Sequence, residues 1–382
     1  MHQFVRSQSA RTRRGSIASL SLLAAAALVL TGCSSDASGG GASDAAAAAD
    51  CDTVTSVRAM MGTSDMDVSY SPYALLAQQL GYMAEECLDV EVTASGTSVT
   101  TSQALVSDTA DIAMQGPDQL IVAAENEPYD IKIFHNLVTR AIFGLAVLPD
   151  ADIADYSDLA GATIGVTQAS SGYDAYLGKR LEDVGMTLAD ITQVAVGYGT
   201  TPMEALKSGE IDAFLAWPGL WASYENAGYD FVNLPDADWQ PDYYGIGLAA
   251  TSDYIAENPD VVEGFSRAVA KSTVWLQGEG NMEEAVRMFW EEYPERAPLP
   301  GTDETEALEA ELNILESTMN QMSVLESDDD HLWGSQDAEA WALQIAYDRD
   351  AGLVTKDLLP EQFFTNEFND AANDFDRSAI SE

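Results

Sequence analysis

The sequence predicts an α/β protein of two bodies, each a mainly parallel sheet flanked by helices, with a helical C-terminal part. Three observations predict it. Strand-length apolar runs alternate with amphipathic helix-length stretches from about residue 54 to 250. The alternation starts afresh near Ala141, and from about Tyr244 the chain turns helical. Alternation of this kind gives parallel sheets with helices on their faces.

In chain order, residues 54–62 (VTSVRAMMG) read as a first strand. Ser71-Pro72 then opens a helix, with Ser at the N-cap and Pro at the first helical position. That helix ends near Gly81, and Leu88 to Thr93 alternates as a second strand. Ser95 to Ser98 leads into a helix through Val106, followed by a short strand, Asp111 to Met114. In the second body the strands are Ile142 to Leu148, Ala162 to Thr167, Gln193 to Gly197 and Ile211 to Trp217. Ser171 and Asp174 have capping-box spacing, as do Thr201 and Glu204 around Pro202. Asn258-Pro259, Asn281, Thr302 and Ser335 each precede an amphipathic stretch.

The N-terminus is an export signal in form. Arg6, Arg11, Arg13 and Arg14 precede a 14-residue apolar run, Ile17 to Leu30. That run is too short to span ~30 Å of hydrocarbon as a helix, and its flanks suit a signal peptide. Leu30-Thr31-Gly32-Cys33 closes it like a bacterial lipobox, in which the cysteine accepts a lipid after cleavage. Residues 1–32 are therefore expected to be removed. Residues 33–50, rich in Ser, Gly, Ala and Asp, form a flexible tether with a reach of roughly 20–25 Å.

The basic start holds 4 of the 17 basic residues and none of the 63 acidic ones. The mature chain thus has 13 basic against 63 acidic residues, a net −50. Such a charge argues against nucleic-acid binding, which needs a basic face. It suits a solvated acidic surface, or attraction of a cation, and leaves the sign of a ligand in a cleft open. The histidines are His2, His135 and His331, and no pair has metal-ligand spacing. There is no P-loop, dinucleotide fingerprint or nucleophile elbow. No cofactor and no enzymatic activity are expected.

Four helix starts follow strand ends: Ser71, Thr97 or Ser98, Ser171 and Thr201. In parallel α/β sheets these lie at the carboxyl edge, where ligands bind. Each offers hydroxyls and unpaired backbone N–H groups. Tyr70, Tyr173, Tyr198, Trp217 and Tyr243-Tyr244 collect at the same edges, where aromatic faces stack on flat ligands or cations. Trp221 reads as core. Arg140, at the crossing between bodies, can pair with a ligand anion or with one of the many carboxylates.

Residues 73–90 (YALLAQQLGYMAEECLDV) resemble a phrase of the nitrate, sulfonate, taurine and thiamine-precursor binding proteins. Residues 103–105, 110–113, 158–166, 205–214 and 365–368 continue the likeness in order, so it spans about 54 to 370. The resemblance implies a two-lobed periplasmic-binding fold of type II, closing by a hinge on its ligand. It places lobe I at 51–139 and 246–382 and lobe II at 140–245. It also implies a cleft containing Tyr70, Ser71, Thr97, Ser98, Gln115, Ser170, Ser171, Tyr173, Tyr198 and Trp217, with Tyr244 added from the aromatic edge. The partners implied are a small-molecule ligand, an ABC permease with its ATPase, and the membrane through Cys33. A monomer is expected.

The family usually has Gly where this chain has Cys87. Cys51 and Cys87 each precede a strand whose start would neighbour the other, and a Cys51–Cys87 disulfide is expected in an oxidising compartment. The aromatic edges favour a flat heterocycle, such as a pyrimidine thiamine precursor or a flavin. The hydroxyl-lined helix starts favour a sulfonate or small oxyanion. The competing classes are an enzyme like the thiamine-pyrimidine synthases of the same fold, and a sensor lipoprotein with no importer.

Overall fold

A computed structural model describes residues 51–64, 66–126, 130–322, 324 and 331–380. The expected signal peptide, Cys33 and the tether lie outside the described residues.

The first sheet begins with β1 (Thr55–Met61), whose inward residues Val57, Ala59 and Met61 are buried. A 3-10 turn (Val68–Tyr73), α1 (Leu75–Gln79) and α2 (Tyr82–Glu85) lead to β2 (Leu88–Ala94). Then come α3 (Ser98–Val106), β3 (Ile112–Gln115), α4 (Pro117–Asn126) and β4 (Ile131–Val138). The chain crosses to a second sheet of β5 (Gly144–Val147), β6 (Thr163–Val166), α5 (Ser171–Glu182), β7 (Thr192–Ala195), α6 (Thr201–Ser208), β8 (Ala213–Ala216), α7 (Pro218–Asn226) and β9 (Val232–Asn233). It crosses back into β10 (Ile246–Thr251). Among the described residues, the α-helices that finish it are α8 (Ser252–Glu257), α9 (Pro259–Trp275), α10 (Asn281–Glu292), α11 (Glu304–Gln321), α12 (Ala338–Asp350) and α13 (Asn369–Ala372).

The sheet orders are β2-β1-β3-β10-β4 and β7-β6-β8-β5-β9. In each sheet four strands run one way and one is reversed: β10 in the first, β5 in the second. The reversed strand is the one that follows a crossing, because it enters from the opposite end. The carboxyl ends of the other strands and the amino ends of β5 and β10 therefore lie on the same side of their sheets.

Residues 246–251 (IGLAAT), expected to begin the helical part, are a strand. Both faces are covered, so the run is continuously apolar and has no period of two. Gly245 and Gly247 allow the crossings to run close together. A Cβ at Gly245 would lie 2.6 Å from Ile142 Cγ2, and one at Gly247 2.4 Å from Ile133 Cγ2. The Gly245 N–H donates to Val138 O at 2.9 Å, tying one crossing to the other.

The helix expected from Ser71 starts earlier and breaks. Asp67 caps the 3-10 turn by accepting from Ser69 N, Pro72 lies inside that turn, and Gly81 (φ 82°) separates α1 from α2. The expected boxes at Ser171 and Thr201 are also displaced, the N-caps being Ser170 and Thr200.

A disulfide joins Cys51 and Cys87, with Cα atoms 5.7 Å apart. Thr55 pairs with Leu88, so the two strand starts are neighbours. Cys87 has φ 59°, in the left-handed region that costs a non-glycine residue roughly 1–2 kcal/mol. The crosslink closes 36 residues and contributes about 3–4 kcal/mol in the chain-entropy account, more than offsetting that strain.

Candidate functional site

The strand ends of both sheets converge on one narrow cavity of ≈ 90 Å³. From the first sheet come Gly62 after β1, Tyr70 and Tyr73 of the 3-10 turn, and Met114 of β3. Thr97, Ser98 and Val99 at the start of α3, and Gln119 on α4, complete that side. The second sheet supplies Gln168, Ala169 and Ser170 after β6, Tyr173 on α5, Tyr198 after β7 and Trp217 after β8. Ile142 and Phe143 at the first crossing, Ile246 at the second, and Thr318 and Gln321 of α11 close the cavity.

The polar groups are arranged by local structure. Thr97 caps α3 by accepting from Thr100 N at 3.1 Å. Gly62 lets the chain pass close to α3: a Cβ there would be 3.5 Å from Ser98 N and 3.3 Å from Met114 Cε. Ser170 is the N-cap of α5 but makes no side-chain cap bond. Tyr173 OH and Thr167 Oγ1 are 2.7 Å apart, which fixes the ring. Gln168 Nε2 comes within 3.5 Å of Gly96 O, so the two sheets' loops meet across the cavity.

The rings form three pairs, one of them Tyr70 with Tyr73 at 6.0 Å. Phe143 meets Tyr173 edge-on at 4.8 Å, and Tyr198 meets Trp217 edge-on at 6.3 Å. Burial raises the phenols of Tyr70, Tyr73 and Tyr173 above their ordinary value, so all three are neutral donors near neutral pH. Among the described residues, no Asp, Glu, Lys, Arg or His lines the cavity.

Of the residues expected in the cleft, the structure brings together Tyr70, Thr97, Ser98, Ser170, Tyr173, Tyr198 and Trp217. Three are corrected. Ser71 is fully buried, its Oγ has no partner, and it faces the core beneath the turn. Gln115 is also fully buried; Ser102 Oγ donates to its Oε1 and its Nε2 donates to Thr101 Oγ1. Its amide therefore holds α3 to β3. Tyr244 packs on Trp341, and its hydroxyl accepts from Asp337 N at 2.7 Å. Ser171 opens α5, and its side chain lies outside what the structure describes. Thr201 does not line the cavity, and Trp221 is core, 5 % exposed. Arg140 lines a separate depression beside Asp236. The sequence reading missed Tyr73, Gln119, Phe143, Gln168, Thr318 and Gln321; of these, Thr318 and Gln321 of α11 reach the cavity only through packing between distant segments.

The NMT1/THI5-like family model matches residues 70–279, more than half of the chain. The chain belongs to the NMT1/THI5-like family. Within reach of this family, a formylaminopyrimidine-binding protein of Halalkalibacterium halodurans is 24% identical over 312 residues, 78% of this chain and 88% of the relative. A 4-amino-5-hydroxymethyl-2-methylpyrimidine phosphate synthase of Aspergillus parasiticus is 25% identical over 245 residues, 59% of this chain and 67% of the relative. Among solved structures, the alkanesulfonate-binding protein SsuA of Xanthomonas axonopodis pv. citri superposes with TM-score 0.60 at 14% identity, covering 82% of this chain and 99% of that one. The aliphatic sulphonate-binding SsuA of Escherichia coli gives 0.56 at 17% identity, covering 80% and 91%. The NMT1/THI5-like chain thus has the two-lobed periplasmic-binding fold.

Proposed function

We propose that this protein is the receptor of an ABC importer, held outside the cell membrane by a lipid on Cys33, and that it captures a neutral, flat heterocycle of the pyrimidine class. The two lobes, 51–139 with 246–382 and 140–245, close on the ligand about the paired crossings at Val138 and Gly245. Tyr70, Thr97, Ser98, Ser170, Tyr173, Tyr198 and Trp217 hold it.

The observation that carries this reading is the chemistry of the cavity wall. Rings from both lobes line the cavity together with hydroxyl and carboxamide side chains, and no formally charged side chain among the described residues lines it. Burying an ion there without a counter-charge costs more than burying a neutral ring whose edge atoms find donors and acceptors. The wall can supply both kinds: Gln119 and Gln168 have donor and acceptor atoms, and the Ser, Thr and Tyr hydroxyls serve as either. The formylaminopyrimidine-binding relative supports the same class, since its match extends over most of its own length.

The two synthase relatives raise a catalytic alternative. The lining provides groups that hold a ligand and, among the described residues, no imidazole, thiol or amine to act on one. That supports binding over catalysis.

A thermal-shift screen of the mature chain tests the reading. Pyrimidines, flavins, thiamine, sulfonates, nitrate and quaternary amines are added to protein refolded free of ligand. At 100 times its dissociation constant a ligand stabilises by ~2.7 kcal/mol. A saturable shift with an uncharged pyrimidine is expected. A shift confined to sulfonates or to cations overturns the assignment.

A further inference from the structure

Next to the cavity lies a buried pair of carboxyls that ligand capture does not use. Asp118, on α4 beside the lining residue Gln119, is 5 % exposed. Its Oδ1 accepts from Tyr243 OH at 2.6 Å and from Gln344 Nε2 at 2.7 Å. Asp348, one turn beyond Gln344 on α12, is fully buried, and neither of its oxygens has a partner. The two carboxyls lie within electrostatic reach of each other.

The pair sits where the second sheet's body meets the first. A Cβ at Gly172, on the first turn of α5, would lie 3.9 Å from Asp118 Oδ2. Further along α5, a Cβ at Gly178 would meet Ala351 Cβ at 2.7 Å, so α5 packs directly on the end of α12. Tyr243 stacks on Tyr347 of α12 at 6.0 Å and also packs on Trp239 at 5.2 Å. Four segments thus enclose the carboxyls: α4 and α12 on one side, α5 and the approach to the second crossing on the other.

The other titratable and charged groups at this junction are few. Lys179 of α5 lies over the Tyr347 ring at 5.0 Å and donates to Glu182 at 2.9 Å and Asp183 at 2.8 Å. Asp242 acts on Tyr347 from the crossing. Asp174 of α5 accepts from Gln193 at 2.8 Å. Tyr243 and Tyr347 are phenols raised by burial and so uncharged. No base bonds to either Asp118 or Asp348 among the described residues.

Two carboxylates cannot both stay ionised in a site without water or a counter-ion. Asp348, with no donor to either oxygen, is the one that must carry a proton in this arrangement. Parting α5 and Tyr243 from α4 and α12 would admit water, and both groups would then ionise in the usual carboxylate range.

We propose that the Asp118–Asp348 pair is a proton-operated latch between the lobes, taking up one proton from solvent as they close and returning it as they open. Burial raises both carboxyls in the closed form, which agrees with this direction. The proposal rests on the reading that the lobes close on a ligand. Its consequence is that rising pH favours the open form, by up to tenfold per pH unit between the usual carboxylate range of the open form and the pair's raised closed-state range.

Small-angle scattering of the ligand-free mature chain between pH 5.5 and 9 tests it, with hydrogen exchange at the α5 amides as a local readout. The wild type should be compact and protected at acid pH and should expand with a one-proton dependence as pH rises. Asp348→Asn, which is neutral at every pH and of the same shape, should stay compact to pH 9. Tyr243→Phe removes a donor that favours ionised Asp118, so its midpoint should move to higher pH. A wild type whose dimensions and α5 exchange do not change with pH overturns the latch, as does Asp348→Asn with an unchanged pH dependence. No ligand is used, so a chain that fails to bind pyrimidines can still show the latch, and a pyrimidine binder with pH-independent opening loses the latch alone.

Discussion

The wall of the cleft and the outside of the same chain are opposites in charge. Residues 33–382 carry 13 basic and 63 acidic residues, while no charged side chain among the described residues lines the cavity. The outside is an acidic, hydrated shell in which carboxylates repel one another at some cost to the compact state. In the proposed reading, affinity inside the cleft comes from ring contacts and fitted hydrogen bonds, which a long-range field hardly touches. Changes to the scaffold should therefore move stability and leave affinity, and changes to the cleft should do the reverse.

The largest effect is expected from the scaffold's crosslink. Replacing Cys51 and Cys87 together by Ser should cost about 3–4 kcal/mol of stability, read from denaturant melts, with the ligand's Kd unchanged. Intact mass with and without reductant checks the bond itself, since two free thiols in the untreated secreted protein would deny it. Next comes the cleft. Trp217→Ala removes a face on which a flat ligand stacks, and calorimetry should show at least a 30-fold weaker Kd, about 2 kcal/mol. An unaltered Kd would break the comparison at its inner side.

Acid–base behaviour gives a smaller effect whose sign can be worked out. Burial, aided by Asp67, pushes Glu311 up to about 7. Its folded form holds a proton that the unfolded chain releases above about 4.5, so its contribution is present at low pH and lost as pH rises through 7. The Asp118–Asp348 pair has the same sign. His135 opposes them: buried neutral and pushed down to about 3, it adds stability as pH rises from 3 to 6.5. The proton on Glu311 and the one held by the pair outweigh one imidazole, so Tm should fall between pH 5.5 and 8. Glu311→Gln should flatten that fall, and a Tm that rises over the range would contradict it. The smallest effect should come from salt: 0.5 M KCl screens the outer shell and should raise Tm by a few degrees, while the Kd of an uncharged ligand moves less than about twofold.

The fold was legible because strand runs, caps and glycine breaks are local signals. β1, β2, α3 and β8 fall within a residue or two of their expected places. β10 was not legible, because a strand buried on both faces lacks alternation. β4 and α4 were likewise unassigned. In the site, residues at strand ends could be read because the carboxyl edge is where ligands go. Ser71, Gln115 and Tyr244 stand near the same edges yet point into the core, and sequence does not say which way a turn faces. Thr318 and Gln321 look like ordinary positions of an amphipathic helix. Only the packing of α11 on α7 and the 3-10 turn carries them to the cleft.

Calorimetric titration of the ligand-free mature chain with a formylaminopyrimidine, and in parallel with an alkanesulfonate, at a pH where the aminopyrimidine ring is unprotonated, tests the central claim most directly. One-site binding of the pyrimidine that Trp217→Ala weakens, with no heat from the sulfonate, is the predicted result. Saturable binding of the sulfonate with none of the pyrimidine would mean that the uncharged wall recognises an anion through its helix starts, and would contradict the account.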